Sequence, residues 1–195
     1  MGMALSYRLD LDSAAIAQVF DAHAGRDAWV GGPLAPGTFA PVIVRAGREA
    51  RRFIRPMHWG YPAPGQSTEF AGVNPIRWVP TVRNVESPFW IGNLRHRELR
   101  CLIPATAFSV GAGKKRHWYR PAAEPAFALA GIWRDLTDMP VFAILCTDPP
   151  TEMECAAMPL ILEGAAQETW LTADWKEAQA LVRPSPVSLL EAVEG

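Results

Sequence analysis

Arg100-Cys101-Leu102-Ile103-Pro104-Ala105-Thr106-Ala107-Phe108-Ser109-Val110, then Gly111-Ala112-Gly113-Lys114-Lys115, then His117-Trp118-Tyr119, is the stretch on which the fold reading turns. Two apolar runs, 100–104 and 107–110, read as strands, and the glycine-and-lysine segment reads as a hairpin tip returning the chain at 117–119. Downstream, Phe127 to Trp133 and Val141 to Cys146 have the same short, β-branched and aromatic character. Upstream, 41–45 and 52–60 read as strands joined by a turn at Ala46-Gly47-Arg48. Helices are expected over 12–20, where Asp12 caps Ile16, Val19 and Phe20 at helical spacing, at 88–94 behind Pro88, and across 165–171 and 175–181. Residues 61–82, with Pro62, Pro64, Gly65, Gly72, Pro75 and Pro80, read as a long irregular segment of the kind that carries function. Strands dominate and turns are closely spaced, so the expectation is one α+β domain over residues 1–195, built on largely antiparallel sheet with a few flanking helices.

With 49% hydrophobic and 20% charged residues, the chain has enough apolar surface to fold, which excludes wholesale disorder. No apolar run approaches the roughly 20 residues of a membrane-spanning helix, and no basic flank precedes an apolar stretch at the N-terminus, so a cytoplasmic location away from membranes is expected. Cys101, Cys146 and Cys155 are odd in number and lie in apolar segments, as reduced core thiols do. The four histidines are far apart, without metal-ligand spacing, and no glycine-rich phosphate loop or nucleophile elbow occurs. Neither a metal nor a cofactor is expected.

Charge is distributed unevenly. Residues 45–120 carry fourteen Lys or Arg against four Glu, a balance of +10, while 121–195 carry three basic against twelve acidic side chains, a balance of −9. A basic section of this kind suits a phosphate backbone, and the aromatics interleaved with it suit unpaired bases. Trp59 and Trp78, which bound the irregular segment, are the leading stacking candidates. Two plainer readings stand beside this one: the tryptophans as core, and the basic section neutralised by the acidic tail across a folded interface.

Several segments in order carry a resemblance: Pro33-Leu34-Ala35-Pro36, Trp59-Gly60-Tyr61, Thr81-Val82-Arg83-Asn84, Arg100 to Ala105, Ala130-Gly131-Ile132-Trp133 and Met158-Pro159. Over essentially the whole chain the sequence resembles the SOS-response-associated peptidase (SRAP) family. The run from Val82-Arg83-Asn84 to Pro88-Phe89-Trp90 is similar to a phage-associated branch of it. The resemblance implies a barrel-like sheet with a positively charged cleft for single-stranded or damaged DNA. It also implies capture of abasic sites by an N-terminal Cys, whose thiol and amine form a thiazolidine with the sugar aldehyde, assisted by an Asn, a Glu and a His.

This sequence departs from that pattern at each reactive position: Ala4 stands at the nucleophile, Thr81 at the Asn, Val110 at the Glu and Glu154 at the His. Arg83 keeps the motif arginine. The expected function is therefore SRAP-like binding of single-stranded or abasic-site DNA through Arg83, Trp59, Trp78, Asn84 and Arg45, without thiazolidine crosslinking. An abasic-site lyase using the N-terminal amine, and a structural or protein-binding relic, are the alternatives.

Overall fold

The computed structural model describes residues 5–46, 51–66, 76–111, 116–122, 125–137, 139–153 and 155–194. In chain order, β1 (Ser6–Leu9), α1 (Ser13–Val19), β2 (Ala22–His23) and β3 (Gly32–Leu34) lead into the long hairpin of β4 (Phe39–Ala46) and β5 (Arg51–Trp59). Short strands β6 (Tyr61–Pro62), β7 (Trp78–Val79) and β8 (Thr81–Val82) precede α2 (Ile91–Arg95). Then come β9 (Arg100–Ala105), β10 (Ala107–Val110), β11 (His117–Pro121), β12 (Phe127–Asp135), β13 (Pro140–Thr147), β14 (Met158–Pro159) and β15 (Ile161–Leu162). The chain closes with α3 (Ala165–Thr172), α4 (Trp175–Gln179) and β16 (Leu190–Val193).

The two arms of the hairpin read from 107–119 pair as expected, with Phe108 opposite Tyr119 and Val110 opposite His117, while residues 112–115 of its expected tip lie outside the described residues. It belongs to a five-stranded sheet in the order β16-β11-β10-β1-β3. The larger sheet runs β14-β13-β12-β9-β4-β5-β2, and β5 also pairs with β13, so the ladder returns on itself. That return is thin: β4 meets β9 at the single pair Ile43–Leu102, and β5 meets β13, in parallel, at two pairs. The mixed α+β domain thus has curled, largely antiparallel sheets that stop short of a strict barrel.

Local chemistry accounts for the elements. Asp12 accepts a 2.8 Å hydrogen bond from Ala15 N and caps α1, worth about 1 kcal/mol, while Ile16 turns the helix onto the core. Every residue of β9 and β10 is buried, as expected of strands covered on both faces. Gly131 on β12 is required by close approach: a Cβ there would overlap Ile103 Cδ1 and lie 3.0 Å from Cys101 Sγ. Buried Trp170 of α3 fixes the helix to the sheet by donating from Nε1 to Cys101 O (3.1 Å) and Gly131 O (3.2 Å). Arg100 is enclosed beside it, its guanidinium 5.5 Å from the Trp170 ring and donating to Ala173 O.

Candidate nucleic-acid interface

The short strand β8 is positioned from two sides. Its register partners are Ile144 and Leu145 of β13. Just before it, Pro80 O accepts from Ile144 N at 3.0 Å and from Trp59 Nε1 at 2.9 Å. Val82 is fully buried, so strand alternation turns Thr81 the other way, and Arg83 follows directly after the strand. Thr81 is half-buried and Arg83 exposed.

Trp59 corrects the sequence expectation. It is 0% exposed, enclosed between Tyr7 (ring centroids 5.1 Å) and Phe142 (6.0 Å, nearly parallel). No face of its ring is left for a base, and its indole serves to hold Pro80 in place. Trp78 differs: it is half-buried and packs at 4.3 Å against His58. It also lies over Gly60, whose φ of +135° belongs to glycine and where a Cβ would sit 3.0 Å from Trp78 Cβ. His58 in turn meets Phe39, its register partner across the β4–β5 hairpin, edge-on at 5.6 Å.

The result is an aromatic row, Phe39–His58–Trp78, ending in a phenyl ring that is 53% exposed. Sequence reasoning missed Phe39, because a lone Phe after the Ala35-Pro36-Gly37 turn carries no signal until β4 and β5 are registered. Burial holds His58 below its ordinary pKa of 6.5, which favours the uncharged ring in the buried middle of the row.

Arg83 sits at the end of β8 nearest the 148–157 segment. Its Nη2 donates to Ala156 O at 2.7 Å and lies 3.7 Å from Asp148 Oδ1. The side chain is 51% exposed and Asp148 93%, so the carbonyl braces the guanidinium while the carboxylate is a weakly held, solvated partner. Asn84 is exposed and its Oδ1 accepts from Glu86 N at 3.0 Å, capping the turn that leaves β8.

Of the positions that depart from the family's reactive set, Thr81 lies on this face, and Val110 is buried at the end of β10. Ala4 and Glu154 lie outside the described residues. The thiols are unactivated. Burial raises Cys101 well above its ordinary value, raises Cys155, and pushes Cys146 up to about 12 despite the nearby Arg83. All three are free cysteines.

Arg45 belongs elsewhere. It lies at the far end of the β4–β5 hairpin, 3.1 Å from Glu168 of α3, whereas Trp59 and β8 are at the other end. The seven residue steps of β5 from Arg52 to Trp59 put about 23 Å between the two ends. Other cations of the basic section also meet the acidic tail: Arg52 pairs with Glu168 at 3.0 Å, Arg55 with Asp135 at 2.9 Å, and Arg120 with Glu191. These are surface pairs of the class worth about 0–1 kcal/mol each.

Among the described residues no cluster of three or more metal-binding side chains occurs, and no helix is long and apolar enough to cross a membrane. No curated protein sequence matches the chain significantly. Among solved structures, a protein from Bordetella bronchiseptica superposes with a TM-score of 0.76 at 18% identity, covering 98% of this chain and 99% of that one. A protein from Bacteroides thetaiotaomicron gives 0.74 at 19% identity, covering 96% and 90%. A phage-related protein from Bordetella bronchiseptica gives 0.68 at 16% identity, covering 97% and 94%. At these identities the likeness concerns the fold. The profile of the SOS response associated peptidase (SRAP) family matches residues 3–194, essentially the whole chain, and the protein belongs to that family.

Proposed function

We propose that the protein binds single-stranded or abasic-site DNA on the face formed by Phe39, Trp78, Thr81, Arg83 and Asn84, without forming a covalent crosslink. The observation that carries the reading is Arg83: an exposed guanidinium braced by a backbone carbonyl, directly after the short strand that holds Thr81 and five residues on from Trp78 of the aromatic row. A cation held in place and half in water suits a phosphate oxygen, and rings beside it suit unstacked bases. Loss of the covalent step is supported by Thr81 and Val110 in place of acid–base groups and by three thiols that burial keeps protonated.

The test is titration of an abasic-site oligonucleotide at several salt concentrations. Affinity should fall steeply with salt, and Arg83→Ala should flatten the log–log slope by about 0.7, the value of one single-strand phosphate contact. Binding unchanged by Arg83→Ala sinks the assignment of this face. Borohydride should trap no adduct; an adduct lost on N-terminal acetylation would instead establish an amine-based lyase. The ion pairs of Arg55 with Asp135 and of Arg120 with Glu191 favour the structural reading for those two cations, whereas Arg83 keeps half its surface in water.

A further inference from the structure

A second concave site lies about 23 Å away, at the other end of the β4–β5 hairpin. Arg45 and Arg52 are direct register partners there, and Arg51 follows opposite Ala46. Like charges facing each other across an antiparallel ladder repel, and here the Glu168 carboxylate sits between them. The side chains open into a recess of about 700 Å³ lined also by Asp21, His23 and Glu168.

Its centre is already arranged around an oxyanion. Glu168 places one carboxylate oxygen 3.1 Å from Arg45 Nη1 and the other 3.0 Å from Arg52 Nη2. Arg52 is held for this task because its Nη1 donates to Phe20 O at 2.9 Å, which leaves Nη2 aimed into the recess. His23, also on the lining, is oriented by Gly25 N, which donates to its Nδ1 at 3.0 Å. Two guanidiniums gripping the two oxygens of one carboxylate have the spacing with which arginines hold phosphate oxygens. Glu168 is half-exposed on a surface helix, so it can swing out without disturbing the core.

We propose that this recess binds a phosphate-class oxyanion, with Glu168 as the resident counter-anion that the ligand displaces. The proposal is independent of the Arg83 face. Calorimetry on the full chain, with inorganic phosphate and with single-stranded oligonucleotides of about 4 and about 16 residues, tests it. Glu168→Gln, which removes only the competing charge, should tighten binding about tenfold, and Arg45→Gln should weaken it by a similar factor. Arg83→Ala should leave inorganic phosphate binding as it was. A response with inorganic phosphate identifies a free phosphate compound as a sufficient ligand. A response confined to the longer oligonucleotide that persists in Arg83→Ala and is lost in Arg45→Gln identifies a polynucleotide backbone that passes along the hairpin. If the parent, Glu168→Gln and Arg45→Gln bind every probe equally, with native melting curves, the recess is not a ligand site.

Discussion

Trp59 and Trp78 look alike in the sequence and do different work. Trp59 is sealed between Tyr7 and Phe142 with its Nε1 on Pro80 O, whereas Trp78 is half-buried in a row with His58 and Phe39. Trp59→Ala should therefore cost about 3–5 kcal/mol of stability, read as a lower urea midpoint. Trp78→Ala should reduce oligonucleotide affinity by about 1–3 kcal/mol, the contribution of one stacked base, with a smaller change in the midpoint. Equal stability losses with no effect of Trp78→Ala on binding would remove the aromatic row from the interface. What separates the two residues is which neighbours arrive from β1, β8 and β13, and those lie far away in the chain. The sequence shows a tryptophan at the edge of an irregular segment; it does not show that Tyr7 and Phe142 close over one of them.

At the scale of elements, the strands whose hydrophobic runs are long were legible: the segments expected at 41–45, 52–60, 100–104, 107–110, 127–133 and 141–146 each fall on a strand, β5 ending one residue earlier at Trp59 and β9 running one further to Ala105. The helix behind Asp12 was legible from its cap and spacing, and the helices expected at 165–171 and 175–181 form at 165–172 and 175–179. The two-residue strands β6, β7 and β8 were not, because so short a strand exists only through its partners: Tyr61 with Val79, and Thr81 with Ile144. The site inherits that opacity, since Thr81 lies on β8 and Arg83 follows directly after it. Interstrand packing also explains Gly131, which the sequence offers as a bare motif glycine. Gly131→Ala should destabilise by about 1–3 kcal/mol through overpacking against Ile103 and Cys101, seen as a shifted urea midpoint with an unchanged slope. A neutral outcome would mean that β9 and β12 separate more easily than their buried side chains indicate.

For the molecule as a whole, pH sets the limits of stability through groups the core encloses. Cys146 is pushed up to about 12 from 9.0 by burial, so above pH 9 the unfolded chain ionises a thiol that the folded chain keeps protonated. Its contribution is complete below pH 9 and is lost as pH rises toward 12. Tyr7 and Tyr61, raised well above 10.0 by burial, act in the same direction. His58 acts in the opposite sense. It is held below 6.5, so its contribution is present above that pH and is lost as pH falls through the lower folded value. The urea midpoint should be level between about pH 6.5 and 9 and decline on both sides. Cys146→Ala should soften the alkaline decline, and an identical decline in that variant would assign it elsewhere.

The parallel pairing of His58 with Val141 and of Trp59 with Phe142 has a kinetic consequence. These partners are some eighty residues apart, and the ladder cannot return on itself until both ends of that span have found each other. Loop-closure entropy is therefore spent before this contact gives anything back, which sets the chain among slow folders. The same seam covers the His58–Trp59 end of β5, beyond the short β2 pairing at Arg52 and Phe53, so a polypeptide stopped before residue 140 would leave that end open to other nascent chains.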